Sequence, residues 1–258
     1  MTQAKTVTVK SVTAKSVTAA LLIIGDEILS GRTKDRNIGF TADYLTNIGI
    51  DLCEVRIVPD IISEIAEALN ALRARYTYVF TTGGIGPTHD DMTADAVAVA
   101  FGVEISEDPR VISVLLQWMK PEELNEARRR MARIPHGAEL VENAVSKVPG
   151  FWIGNVIVMA GVPTIMQAML AAVGPKLETG PRTVSLTIAA GNVAEGAYAA
   201  DLGAVADLHP DLCIGSYPSM ADGRYNNEIV VRGKDAEKVA EAAAAIEAFL
   251  ARLQTEKV

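Results

Sequence analysis

The chain has 258 residues, of which 49% are hydrophobic, so it can form one large domain or two smaller ones with a real core. The formal net charge is -8, and no long basic run is present. Nucleic acid is therefore not expected as a partner, because a phosphate backbone requires clustered Lys and Arg side chains. No apolar run approaches the roughly 18 residues of a membrane-spanning helix, so no membrane partner is expected either.

The first 19 residues are polar and rich in Thr, Ser, Val and Lys, and they are predicted to form a flexible extension. They lack the apolar segment of a secretory signal. Cys53 and Cys213 lie far apart and belong to no CxxC or Cys/His cluster, so a zinc site is not expected. Both cysteines are predicted to be buried thiols. A cytoplasmic location is the resulting expectation.

From residue 20 onward, short apolar runs alternate with segments of helical periodicity. Strands are predicted at residues 20–24, 52–58 and 76–81, and helices at 37–48, 61–75 and 93–101. This alternation favours a parallel sheet with helices on both faces. The predicted fold class is therefore α/β, a three-layer α/β/α doubly wound sheet that is mostly parallel.

The rest of the chain predicts a helical excursion, the end of this domain and a second domain. Residues 109–133 are charged and largely helical in pattern, with a break at Pro121. A strand at 156–159 and a helix at 164–173 then complete a domain spanning residues 20–175. Gly-Pro pairs mark the boundary. Residues 182–258 read as a small β-α-β-β-α unit of the α+β class, a packing or dimerising module.

The most informative segment is the loop at residues 81–91, which joins a predicted strand to a predicted helix. Its three glycines allow backbone N–H groups to approach a ligand, and the following helix start favours an anion. Asp90 and Asp91 would repel a phosphate unless a divalent cation lies between. The loop is therefore predicted to bind a phosphorylated ligand and a hard cation. In the alternative, one aspartate or Thr93 only caps the helix, and His89 is solvated.

Other candidate residues follow the first two strands, where doubly wound sheets bind ligands. Asp26 and Glu27 either cap a short turn or contact the ligand. Asn37 either caps the first long helix or reaches the ligand. Asp60 either caps the helix after the second strand or belongs to the same site.

The sequence at residues 160–163, Ala-Gly-Val-Pro, directly follows a predicted strand. It either only forms a turn or also supplies backbone amides at the edge of the sheet where a ligand would bind. The chain contains no GxGxxG, GxxxxGK[ST], GxSxG or HExxH sequence, so the common nucleotide and hydrolase motifs do not account for the glycine-rich loop.

Taken together, residues 24–31, 82–91 and 160–163 resemble the molybdopterin-binding (MoaB/Mog-like) domain superfamily. The sequences at 83–91 and 124–135 are most similar to the branch that contains CinA and the molybdopterin-binding-like domain of FAD synthase. The resemblance covers about residues 20–175. The region after residue 182 resembles the small KH-like domain that follows in CinA proteins, without its GxxG loop.

The resemblance implies a three-layer α/β/α fold and, for this branch, metal-dependent hydrolysis of a nucleotide diphosphate such as ADP-ribose or FAD. Together with the interpretation of the individual residues, the resemblance indicates Asp60, Asp90 and Asp91 as catalytic residues. It indicates Asp26, Asp90 and Asp91 as metal ligands. The expected ligand-binding residues are Gly25, Asp26, Glu27, Asn37, Thr82, Gly83, Gly84, Gly86, Pro87, Thr88, Gly161 and Pro163.

The expected cofactor is a divalent metal, Mg²⁺, Mn²⁺ or Co²⁺, with K⁺ as a further candidate; neither nicotinamide nor haem is expected. Two alternative functions stay open. One is a molybdopterin-binding protein of molybdenum cofactor biosynthesis, acting in adenylyl transfer or as a carrier, and the other is a non-catalytic ligand-binding module. The expected partner is a small nucleotide or pterin ligand. Because relatives form dimers or trimers, a homo-oligomer is also expected.

Overall fold

The computed structural model describes residues 16–221 and 223–255. The chain divides into two compact units, residues 1–180 and residues 181–258. Residues 1–15 of the predicted extension lie outside the described part of the chain. The prediction that the extension continues to residue 19 is wrong, because the first strand begins at Val17, and both Val17 and Ala19 are buried in the core.

The first unit is built around a six-stranded sheet with helices on both faces. Its elements are β1 (Val17–Ile24), α1 (Asp26–Leu29), α2 (Asn37–Asn47), β2 (Ile50–Val58), α3 (Ile62–Arg73), β3 (Tyr78–Thr82), α4 (Thr93–Phe101), β4 (Ile105–Glu107), α5 (Pro109–Leu115), α6 (Glu126–Arg130), β5 (Arg133–Pro135), β6 (Glu139–Val141), β7 (Gly150–Ile153), β8 (Val156–Met159) and α7 (Pro163–Val173).

The strand order of the sheet is β2-β1-β3-β8-β7-β6. The first four strands run parallel, whereas β7 pairs antiparallel with both β8 and β6. The α/β fold class with a mostly parallel sheet is therefore confirmed. Because β1, β2, β3 and β8 run in one direction, the loops that follow them meet at one edge of the sheet.

Two hydrophobic clusters lie on opposite faces of the sheet. One contains Leu22 and Val79 and packs against α3 and α4. The other contains Leu21 and Phe80 and packs against α2 and α7. Successive residues of the central strands alternate between the two clusters, so these strands are buried on both faces and read as continuous apolar runs.

The helical excursion is shorter and more broken than the sequence predicts. Between Pro109 and Arg133 the chain forms α5, a 3₁₀ turn at Pro121–Glu123 and the five-residue α6. The strands β4 and β5 form a small antiparallel ladder flanking it. This ladder, and the pair β6 and β7, were not predicted, since three- and four-residue strands carry too little periodicity. The prediction of buried cysteines is also wrong, because both are exposed.

The second unit contains a three-stranded antiparallel sheet covered by two helices. Its elements are β9 (Val184–Gly191), α8 (Glu195–Leu208), β10 (Cys213–Tyr217), β11 (Met220–Ala221), β12 (Arg224–Tyr225), β13 (Asn227–Gly233) and α9 (Ala236–Thr255). The sheet order is β10-β13-β9. Tyr198, Ile229 and Ile246 are among the fully buried residues of a separate core. Apart from the two-residue strands β11 and β12, this is the predicted β-α-β-β-α order.

Asn155, in the turn between β7 and β8, links this turn to the end of α3 by hydrogen bonds. Its Nδ2 atom donates hydrogen bonds to the carbonyl oxygens of Arg73, at 2.9 Å, and Tyr76, at 3.0 Å. Its own carbonyl accepts a 2.8 Å bond from the Val79 amide at the start of β3. A single side chain thus satisfies one carbonyl group at the end of α3 and one in the connection to β3.

We expect Asn155→Ala to lower the free energy of unfolding by about 1–3 kcal/mol, because two backbone carbonyls lose their donors. Urea denaturation followed by circular dichroism measures this change. Asn47→Ala is the matched control, because Asn47 is exposed at the end of α2, and the expected change there is within about 0.5 kcal/mol. Equal effects of the two substitutions would contradict this role of Asn155.

Candidate functional site

Thr93 holds the glycine-rich loop against the first turn of α4. Its amide donates to the Gly84 carbonyl at 3.0 Å, and its hydroxyl donates to the Gly83 carbonyl at 2.8 Å. Thr93 is fully buried. Gly84 has φ +65°, and a Cβ atom there would lie 2.3 Å from the Thr93 hydroxyl oxygen, so a larger residue cannot make the same contact.

These two hydrogen bonds from Thr93 occupy the carbonyl groups of Gly83 and Gly84, and the amides of the next loop residues stay available. Within the described chain, no hydrogen bond is donated by the backbone N–H groups of Gly84, Ile85 or Gly86. Three successive amides without protein partners, beside a helix start, form the kind of concave donor group that binds an oxyanion. The loop geometry therefore fits a phosphate or a comparable anion.

Asp91 closes the loop through hydrogen bonds with Thr88. One of its carboxylate oxygens, Oδ2, accepts a 2.8 Å bond from the Thr88 amide and a 2.6 Å bond from the Thr88 hydroxyl. The N-cap residue of α4 is Met92, and neither aspartate caps this helix through its side chain. Asp90 and His89 are exposed at the loop tip.

Asp60 follows β2, and three other carboxylates are near enough to influence it: Asp26 and Glu27 after β1, and Asp90 in the loop after β3. Its Oδ2 atom accepts a 2.9 Å hydrogen bond from the Asp26 amide. It does not cap α3, whose N-cap residue is Ile61. Partial burial raises the pKa of Asp60, and the negative charges of Asp26, Glu27 and Asp90 raise it further, against the opposing effect of the Asp26 amide. The cluster thus has an unbalanced negative charge that a cation would relieve.

Asp90 has the opposite shift. The nearby Thr88 side chain and a backbone amide lower the pKa of its exposed carboxyl group, whereas the pKa of Asp60 is raised. Two carboxyl groups with pKa values moved apart in one cluster are a common arrangement in catalytic sites.

The predicted metal-ligand set is not assembled as a closed cage. Among the described residues, no group of three or more His, Cys, Asp and Glu side chains is arranged to hold a metal ion. Asp91 is engaged with Thr88, which separates its role from those of Asp26 and Asp90. The oxygen donors nonetheless suit Mg²⁺ or Mn²⁺, which commonly bind through one or two carboxylates together with water and substrate phosphates.

Two predicted ligand-binding residues lie beneath the pocket and support it. Asn37 is the first residue of α2, and its Nδ2 atom donates a 2.9 Å bond to the Gly161 carbonyl. Asp35, not Asn37, accepts the first amides of α2. Thr82 is buried, and both its Oγ1 atom and the Oδ1 atom of Asn37 lack a hydrogen-bond partner among the described residues.

A pocket of about 550 Å³ opens beside the loop, within the size range of small-molecule sites. The predicted residues that line it are Glu27, Gly83, Gly84, Gly86, Asp91, Gly161 and Pro163. Gly25, Pro87 and Thr88 lie outside its lining, as do Asp26, Asp60 and Asp90 of the acidic cluster. The sequence analysis did not select Met131, Val148, Ile165 or Met169, which supply an apolar wall. Of these four residues, only Met131 lies in a segment that resembles the CinA branch, residues 124–135. Apolar residues of this kind carry no sequence signal that distinguishes a pocket wall from a hydrophobic core.

Comparison with known proteins agrees with this architecture. The family described as "Probable molybdopterin binding domain" matches residues 20–179. The chain belongs to this molybdopterin-binding domain family. A second family, described as "FAD synthase, middle domain", matches residues 183–257.

The relatives place the chain in the CinA-like branch of the molybdopterin-binding domain family. A protein of Archaeoglobus fulgidus is 32% identical over 89% of this chain and 96% of its own length. A CinA-like protein of Citrifermentans bemidjiense is 39% identical over 58% of this chain but only 38% of its own length. The solved structure of CinA from Thermoplasma acidophilum, 32% identical, superposes with a TM-score of 0.59 over 62% of this chain and 98% of that one.

A search of the described helices found none that is both long and apolar enough to cross a membrane.

The raised pKa of Asp60 gives a testable pH dependence. A carboxyl group whose pKa is higher in the folded state stabilises the protein below its unfolded value, near 3.8, and loses that contribution as the pH rises through the folded value. Asp60→Asn cannot ionise, so we expect it to be more stable than the wild type at pH 7, with the difference shrinking toward pH 4. Urea unfolding midpoints between pH 4 and pH 8 measure this.

Asp43→Asn is the matched control, since Asp43 is exposed on α2 in the same unit. We expect it to follow the wild-type pH profile. A constant difference between Asp60→Asn and wild type across the whole pH range would contradict the proposed repulsion.

Proposed function

We propose that this site hydrolyses the diphosphate linkage of a nucleotide derivative of the ADP-ribose or FAD type, with the help of a divalent cation. The observation that carries the proposal is the adjacency of two opposite features. Three backbone amides without partners suit phosphate oxygens, and Glu27, one of the carboxylates whose charge raises the pKa of Asp60, lines the same pocket as these loop residues. A diphosphate and a cation together would satisfy both.

The chain's residues have distinct tasks in this reaction. The amides of Gly84, Ile85 and Gly86 hold phosphate oxygens, while Thr93 keeps the loop in place. One or two of the Asp26, Glu27 and Asp90 carboxylates, together with water and substrate phosphate oxygens, would hold the cation, which, when bound, would polarise a phosphoryl oxygen and acidify water. Asp60, with its raised pKa, is the candidate to take the proton of the attacking water. Water adds to one phosphorus atom, the P–O–P bond breaks, and AMP leaves with the second phosphate ester.

Release of AMP from ADP-ribose and from FAD, each assayed with Mg²⁺, Mn²⁺ and Co²⁺, tests the proposal. We expect Asp60→Asn and Asp90→Asn to lower the turnover rate by about 10² to 10⁴-fold, equal to roughly 2.7–5.5 kcal/mol of barrier. Asp43→Asn should retain wild-type turnover. Because Asp60→Asn is expected to be more stable at pH 7, lost activity could not be ascribed to unfolding.

The absence of AMP release by the wild type with all three metals would refute the hydrolase assignment. Full activity of both variants would instead refute the assignment of the acidic cluster. Asp91→Ala is less informative, because Asp91 closes the loop through Thr88 and its loss would disturb the amides as well.

A second candidate function is molybdopterin binding, in adenylyl transfer or as a carrier. The family match favours it, as does the apolar wall of Met131, Val148 and Met169, which suits one face of a flat ring. The same amides would then hold the phosphate of the pterin.

Calorimetric titration with molybdopterin and with ADP-ribose separates the two candidates. If the pyrophosphatase proposal holds, ADP-ribose binds and competes for the pocket. Tight binding of the pterin with no detectable ADP-ribose binding would favour the second candidate. Binding of ADP-ribose without turnover under any metal would indicate a non-catalytic module.

A further inference from the structure

Arg130 reaches the glycine-rich loop from the side of α6. It is the last residue of that helix, and the neighbouring Ala132 is fully buried, which fixes where the helix ends. Its Nη2 atom donates a 3.0 Å bond to the Asp91 carbonyl. The Arg130 side chain therefore lies against the backbone of the loop whose amides have no protein partner.

The only carboxylate that Arg130 pairs with in the described chain is already occupied. Arg133 binds both oxygens of Asp95 in a bidentate pair, and Arg130 lies 3.6 Å from one of these oxygens. Two guanidinium groups thus share one carboxylate. All three side chains are only partly buried, and Arg130 makes the longer of the two contacts with this carboxylate. Arg130 therefore lacks a close carboxylate partner of its own among the described residues.

One donor of Arg130 has no partner. Its Nε atom is buried and makes no hydrogen bond within the described part of the protein. A buried donor without a partner is destabilising and calls for an explanation. Arg130 also lines a cavity of about 20 Å³ together with Gly84, Gly86 and Asp91, which is room for roughly one oxygen atom of water or ligand. The cavity adjoins the main pocket, since both share these loop residues.

We propose that Arg130 is a specificity-determining residue that binds a phosphate oxygen of the ligand through this small cavity, from the side of α6. This inference rests on the proposed function. It assigns one phosphate group of the ligand to each end of the site. One phosphate lies between the loop amides and Arg130, and the cation-bound phosphate lies toward Asp60. The positive charge of Arg130 and its unpartnered Nε donor would favour a phosphate group over an uncharged ring system at this end of the pocket.

Titration of the purified full chain with inorganic pyrophosphate, without metal, tests this role independently of turnover. We expect Arg130→Met, which keeps the length of the side chain, to weaken pyrophosphate binding by about 10 to 100-fold, as for loss of a charge-assisted hydrogen bond. Arg130→Lys keeps the charge but not the Nε donor, and it should recover only part of the affinity. With ADP-ribose, the loss should appear mainly in KM.

Arg129→Met is the matched control, because Arg129 is exposed on the same helix and its Nη1 atom pairs with Glu107 at 2.8 Å. It should bind pyrophosphate within about twofold of wild type, as expected of a surface ion pair. Wild-type affinity in Arg130→Met, or an equal loss in Arg129→Met, would overturn the assignment. Absence of pyrophosphate binding by the wild type would overturn it too. Wild-type binding without AMP release would refute only the hydrolase proposal.

If Arg130→Met does not fold, Arg130→Lys decides the question. Unfolding midpoints first establish that it is folded, and wild-type pyrophosphate affinity in this variant would then reject the role of the Nε donor.

Discussion

The attachment of two loop carbonyls to Thr93 is the constraint on which the candidate site depends. A loop of three glycines has many accessible conformations, and most of them would turn its amides toward its own carbonyls or toward solvent. Thr93 removes this freedom with one amide and one hydroxyl, both buried. The carbonyls of Gly83 and Gly84 are thereby satisfied from within, and the amides that follow are left for a ligand. Pre-organised donors of this kind pay their ordering cost during folding and not during binding.

The loop also separates two regions of opposite charge. On one side, Asp60 lies among carboxylates that raise its pKa, and on the other, Arg130 and Arg133 share Asp95. The two regions influence each other, because the charge of Arg130 also lowers the pKa of Asp90. A ligand that carries phosphates and recruits a cation would complement both regions at once. An uncharged ligand would leave the carboxylates around Asp60 without a cation, so the electrostatics favour a diphosphate over an uncharged ligand.

The sequence predicted the sheet well, and it predicted the site by location better than by role. Continuous apolar runs revealed the buried strands, and β8 was predicted with its observed bounds, because burial on both faces leaves a clear signal. The three-residue strands β4, β5 and β6 gave no comparable pattern. In the site, position in the chain correctly brought Asp26 and Asp60 together. Local rules left two interpretations open for Asp60, and the structure excludes the helix cap, since Asp60 accepts a bond from the distant Asp26 amide and not from its own helix.

Arg130 shows most clearly why a sequence underdetermines a site. Within the run Arg128–Arg129–Arg130, all three residues look like a solvated helix face. In the structure, Arg130 donates to the Asp91 carbonyl of the loop while Arg129 pairs with Glu107 of β4. Both contacts join residues far apart in the chain, so local helix periodicity cannot predict them.

The buried polar atoms without partners reinforce the same location. In the described chain they are the Asn37 Oδ1, Thr81 Oγ1, Thr82 Oγ1 and Arg130 Nε atoms. Thr81 and Thr82 end β3, Asn37 binds the Gly161 loop, and Arg130 contacts the loop after β3. A folded chain tolerates each such atom at a cost of about 1–3 kcal/mol, so random placement would scatter them across both units. Because these atoms lie near one sheet edge, this edge is less stable than it would be if each buried polar atom had a hydrogen-bond partner. A bound ligand and its ordered water could return part of that free energy, which couples occupancy of the site to the stability of the first unit.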